Sequence, residues 1–149
     1  MPLRMPELEE GRIYRRTEVQ QYFGDQTATC DFDVVELHFP RSTERLPDHD
    51  GGAWRDGEEM VLQYAVFAMD ELRTQILNLR DAFWPVESQR QRIEKIVELL
   101  QQQQPVFPVF MQGNDPQHRV IEGMHRVVAL FELESLCVPA FLTGYRNWF

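Results

Sequence analysis

The spacing of apolar residues changes period several times along the chain, and each change marks an expected element. Thr17-Glu-Val-Gln20 has the form of a capping box and Gly24 is a natural stop, which predicts a short helix over residues 18–23. In DFDVVELHF, residues 31–39, the near-alternation of Phe32, Val35, Leu37 and Phe39 predicts a half-exposed strand ended by Pro40. Residues 41–59 are rich in turn formers and charge and read as a long loop. LQYAVFAM, residues 62–69, then reads as a buried strand. Asp70 is placed to cap a helix over residues 71–79, where Leu72, Ile76 and Leu79 share one face, ending before Trp84-Pro85.

The longest helix is expected over residues 89–103. Ser88 and Gln91 offer a second capping box, and Ile93, Ile96, Val97 and Leu100 form one apolar stripe. The run Gln101 to Gln104 reads as its solvated last turn, terminated by Pro105. PVFPVF (residues 105–110) and HRVIE (118–122) read as two strands paired across the turn QGNDPQ, with Pro108 leaving at least one backbone position unpaired. After Gly123 a helix is expected to about Glu134, burying Val127, Val128, Leu130, Phe131 and Leu133, and VPAFLT (138–143) is the closing strand. The order predicts an α+β protein, a small mixed sheet flanked by helices.

Composition narrows the class. The chain has 149 residues, 43% of them hydrophobic, enough for a single core. Its start has no apolar run resembling a signal peptide, and nowhere do eighteen apolar residues follow one another, so a cytoplasmic protein is expected. Cys30 and Cys137 lack any metal-ligand spacing and read as reduced thiols. Of the net charge of −9, residues 1–84 carry −8, with nine Arg against seventeen Asp and Glu. This sign argues against strong nucleic-acid binding. The acidic N-terminal part serves solubility, or meets a basic protein partner.

The segment with the most chemistry is IEGMHRVVAL, residues 121–130: a strand that stops at a glycine and turns straight into an amphipathic helix with His125 and Arg126 in its first turn. Helix-start amides are unsatisfied and partly positive, Gly123 permits close backbone approach, and Arg126 can fork onto phosphate oxygens. The plain alternatives are a left-handed turn for Gly123, a salt bridge to Glu122 for Arg126, and a carbonyl hydrogen bond for His125.

Residues 86–143, a helix (QRQRIEKIVELLQQQQ), a proline-led strand (PVFPV), a hairpin, the VIEGMHRVVALFEL loop and helix, and a VPAFL strand, resemble the ParB/sulfiredoxin superfamily in motif order, with YAVFAMDEL before them as the first strand and its turn. The resemblance divides the chain into an N-terminal elaboration, residues 1–60, and a ParB/sulfiredoxin-like domain, residues 61–149. It implies a phosphate site for ATP or another nucleotide, with magnesium, at Gly123, Met124, His125 and Arg126, and a basic contact at Arg92. Further contacts of the family would fall on Lys95 and Leu99, and Leu99 cannot supply a polar one.

Two departures restrict what the resemblance implies. Met124 stands where sulfiredoxins carry their cysteine, so no thiolate is available there for sulfinic acid repair. The sequence stops soon after the last strand, without the helix-turn-helix reader of the chromosome-partition members. What remains is a nucleotide-binding protein, an NTP hydrolase or phosphotransferase in which Glu122 would serve as metal or water ligand and Glu122 and His125 as the catalytic pair, with Asp115 as a further carboxylate. A non-catalytic plasmid- or phage-type inhibitor acting by protein–protein contact and a bacterial ParB-like metal-dependent nuclease are the alternatives. Elsewhere, His38, His49, His118 and His125 make no zinc motif, and Asp48, Asp50 and Asp56 fall short of a calcium loop. Tyr145, Trp148 and Phe149 read as an aromatic tail docked on the core, or as rings available to stack on a base or a partner.

Overall fold

The computed structural model describes residues 3–24, 61–112 and 119–143. The expected strand over residues 31–39, the loop 41–59, most of the hairpin turn and the aromatic tail lie outside them. The elements are β1 (Ile13–Arg15), α1 (Arg16–Phe23), β2 (Val61–Ala68), α2 (Met69–Phe83), α3 (Glu87–Gln101), β3 (Val109–Gln112), β4 (Val120–Glu122), α4 (Met124–Glu132) and β5 (Cys137–Thr143). The strands form one sheet in the order β1-β2-β5-β3-β4. β2 is antiparallel to β1 and β5, β3 is antiparallel to β4, and β3 runs parallel to β5, so the sheet is mixed and the class is α+β.

Strand alternation sorts the core into two clusters. Val109 and Met111 of β3 and Val138 and Ala140 of β5 join the apolar stripes of α2, α3 and α4, which contribute Leu72, Ile76, Ile93, Leu100, Val127, Val128 and Leu130. Phe110 and Phe141, one residue out of phase, face the other way with Leu62, Tyr64, Phe107 and the α1 side chains Val19 and Phe23. Residues of the expected N-terminal elaboration therefore line this second cluster. Tyr14 of β1 joins it, β1 pairs with β2 through Ile13↔Gln63, and Arg4 bridges Pro105. No helix among the described residues is long and apolar enough to cross a membrane.

Several element boundaries differ from the sequence expectation, each for a local reason. α1 starts at Arg16, and the carboxylate of Glu18 accepts the Arg15 amide at 3.1 Å, displacing the expected Thr17 cap. α2 follows β2 without a break, since the Met69 amide donates to the Leu136 carbonyl at 2.9 Å. Asp70 thus sits inside the first turn, where its charge still complements the helix dipole, and Ala68 is the cap. α3 begins at Glu87 after Val86, two residues before its expected start at Gln89, and ends at Gln101. The outer half of β2 is less buried than expected, with Val66 37% exposed.

The glutamine run is a helix stop rather than a last turn. Gln103 has φ of 69°, its amide bonds the Leu100 carbonyl at 3.1 Å, and the Gln104 amide reaches the Leu99 carbonyl at 3.4 Å. This is a Schellman motif with glutamine where glycine is usual. α4 ends in the same way, with Glu134 at φ of 58° and bonds from Glu134 to Phe131 and from Ser135 to Leu130, both 3.0 Å. Each left-handed non-glycine residue costs about 1–2 kcal/mol locally.

β3 starts later than the proline-led segment suggests. The parallel register begins at Val109↔Ala140. One residue earlier on each chain stand Pro108 and Pro139, and neither has an N–H to extend the ladder. The sheet therefore opens at this end, and the Pro108 carbonyl is available to a side chain.

Candidate functional site

Gly123 caps α4 in the left-handed region, at φ 92° and ψ 26°. A Cβ there would come within 2.8 Å of Arg126 Nη1 and 3.0 Å of Val109 Cγ1, so both the conformation and the space demand glycine. The tight turn takes the chain from the end of β4 into α4 and places the first turn of that helix at the wall of a cleft of about 460 Å³. Its walls include Arg92, Lys95, Ile96 and Leu99 of α3, with Gln104, Phe107, Glu122, Gly123, His125 and Arg126. Residues singled out in sequence at widely separated positions, Arg92, Lys95, Leu99, Glu122, Gly123, His125 and Arg126, thus meet in one concavity. Met124 is the exception: its side chain packs against the larger core cluster.

Arg126 has two roles in the geometry. Its Nη1 donates to the Pro108 carbonyl at 3.2 Å, the group left available by the sheet opening, and its guanidinium lies 4.9 Å from the centre of the Phe107 ring. This holds the guanidinium under the Gly123 turn and at the cleft wall. Neither Phe107 nor Pro108 carried a functional expectation in sequence, because a bulky residue and a proline in a proline-led strand read as core and punctuation.

Glu122 turns one carboxylate oxygen onto the Gly123 amide, at 3.1 Å. His125 is held more firmly. Its ring stacks on Phe83 with centroids 4.4 Å apart and planes 8° apart, and Nε2 meets the Gln89 side-chain oxygen. An amide oxygen only accepts, so in this arrangement Nε2 carries the proton and Nδ1 keeps its lone pair. Burial, and secondarily the Arg92 guanidinium, hold the His125 pKa below its ordinary 6.5. Phe83 and Gln89 lie on two different helices, and no local spacing signals their convergence on His125.

This depression has a measurable consequence. Well above pH 6.5 the ring is neutral whether the chain is folded or not; as the pH falls through that value, the unfolded chain takes up a proton that the folded protein resists, so stability falls. Melting temperatures followed from about pH 7.5 down to about pH 5.5 are expected to drop more steeply for the wild type than for His125→Gln. Parallel curves would show that His125 makes no such contribution.

Several arginines of the described residues are paired. Arg12, Arg73, Arg80 and Arg90 each face a carboxylate, at 3.3 Å from Glu18, at 2.7 Å from Asp70, in contact with Glu132, and at 3.6 Å from Glu94. Arg92 and Lys95 face none among the described residues. Three cations and one carboxylate therefore line a single cleft in a chain of net charge −9. A second cleft, about 530 Å³ near Leu136, contains Arg73 and Arg80, both already paired. No group of three or more potential metal ligands occurs among the described residues. The chain matches no family model, no curated protein and no solved structure.

Proposed function

We propose that this cleft binds the phosphates of a nucleotide, ATP or another NTP, as the ParB/sulfiredoxin resemblance implies. The observation that carries the reading is the gathering of Arg92, Lys95 and Arg126 around the glycine-capped start of α4 in an acidic protein. Helix-start amides, the Arg126 guanidinium at the cleft wall, and Arg92 and Lys95, which face no carboxylate among the described residues, suit an anion with several oxygens. The apolar walls, Ile96, Leu99, Leu100 and Phe107, suit the uncharged part of the same ligand. The size also fits, since small-molecule sites span about 300–1,000 Å³.

Magnesium fits this arrangement as an ion brought in on phosphates. Such an ion needs one or two protein carboxylates, and Glu122 is the carboxylate in the cleft. If the protein hydrolyses or transfers a phosphoryl group, Glu122 and the Nδ1 side of His125 are the groups able to orient a water or an acceptor hydroxyl. Arg92, Lys95 and Arg126 then hold the phosphates, and Gly123 lets the backbone approach them.

Thermal unfolding with each of the four NTPs and Mg²⁺ tests the reading. At least one NTP is expected to raise the melting temperature of the wild type. The Arg92→Ala/Lys95→Ala variant should melt at the same temperature without ligand and lose that rise, because each charge-assisted hydrogen bond is worth about 1.5–3 kcal/mol. A wild type indifferent to all four nucleotides would refute nucleotide binding.

A further inference from the structure

The cleft has a direction along α3. Gln89 and Arg92 lie beside His125 at one end, while Ile96, Leu99 and Leu100 follow toward the C-terminus of the helix. From Arg92 to Leu99 is seven residues, about 10 Å of helix axis. Over that length the wall changes from charged to apolar. Past it stands Gln104, the neutral polar side chain among the lining residues.

Gln104 reaches this place through the strained stop of α3. Gln103 takes a left-handed conformation that glycine would adopt at lower cost, and in doing so turns the chain so that Gln104 stands at the apolar end of the cleft. A carboxamide there offers one acceptor and one donor group side by side.

We infer that Gln104 is a specificity-determining residue that reads the base of the bound nucleotide and favours adenine over guanine. The inference rests on the nucleotide reading above and adds the base to it. The Gln104 oxygen would accept from the adenine N6 amino group while its nitrogen donates to N7, a bidentate pairing. On the same edge guanine presents O6 and N7, two acceptors, and leaves the carboxamide oxygen unmatched. Ile96 and Leu99, half-buried along the same face of α3, supply the apolar contact on which the base lies.

The test is calorimetric titration of the wild type, Gln104→Leu and Gln104→Glu with MgATP, MgGTP and inorganic tripolyphosphate. The wild type is expected to bind ATP about tenfold more tightly than GTP, within the range of a bidentate contact. Gln104→Leu should bring the two nucleotides within about threefold of each other, and Gln104→Glu, which keeps an acceptor but loses the donor, should also weaken ATP. Tripolyphosphate should bind all three proteins alike. Equal binding of ATP and GTP by the wild type, survival of its preference in Gln104→Leu, or loss of tripolyphosphate binding in both variants would overturn the role of Gln104 alone. Absence of nucleotide binding by the wild type would overturn the nucleotide reading, and this inference with it.

Discussion

Gly123→Ala is expected to destabilise the protein by about 2–5 kcal/mol. A left-handed alanine costs about 1–2 kcal/mol and forced contacts in a packed region about 1–3 kcal/mol. Both penalties apply at this position, where φ is 92° and the added methyl would meet Val109 at 3.0 Å and Arg126 at 2.8 Å. Val109 is fully buried in β3, and Arg126 is tied to Pro108, so neither can yield freely. In a domain of this size the melting temperature should fall by about 10 °C. The damage reaches the cleft as well, because moving Arg126 moves the wall of the proposed phosphate site. A melting temperature within a few degrees of wild type would mean that the turn can relax, and that the demand for glycine is weaker than its geometry indicates.

Phe141→Ala should cost about 3–5 kcal/mol, the usual range for emptying a buried phenylalanine site. Phe141 is fully buried in β5, and its ring centre lies 5.7 Å from that of Phe110, 5.9 Å from Tyr64 and 6.4 Å from Tyr14. Tyr14 comes from the first residues of the chain, so the substitution loosens their seat on the sheet as well as the sheet itself. Urea denaturation gives the measurement, with Leu136→Ala as a control, since Leu136 is 89% exposed and its truncation should be nearly neutral. A cost below about 1.5 kcal/mol for Phe141→Ala would show that this second cluster contributes little.

The parts of the fold legible in sequence were those written in local periodicity. The stripe Ile93, Ile96, Val97 and Leu100 gives α3, and the step from VIE through Gly123 into MHRVVAL gives β4, the turn and α4. Helix starts were legible only approximately. Thr17, Asp70 and Ser88 suit caps by their side chains, whereas continuous strand–helix junctions set the starts of α1 and α2 and the tight turn after α2, with the Val86 amide on the Phe83 carbonyl, sets that of α3. The stop at Gln103 was hidden for a related reason, because glutamine gives no sign of the left-handed conformation it adopts.

The residues that the resemblance implies, Met124 excepted, come together in the cleft, whereas Gln104 and Phe107 in its lining and Phe83 and Gln89 beside His125 have no signal in sequence. Phe83, Gln89 and Phe107 serve through contacts between elements, and no spacing within one element announces such a contact. Leu99 shows the converse. It looked like a defect when a polar contact was expected there, and its place among Ile96, Leu100 and Phe107 makes it part of an apolar wall.

The order of strands also bears on how the protein is made. β5, the last described element to be synthesised, lies in the sheet between β2 and β3. Until it has left the ribosome, β1 with β2 and the β3–β4 hairpin have no strand to join them, and the edges of β2 and β3 that will receive β5 are open. A nascent chain arrested before Cys137 should therefore hold two separate pieces of sheet, and these are the surfaces a chaperone would have to cover.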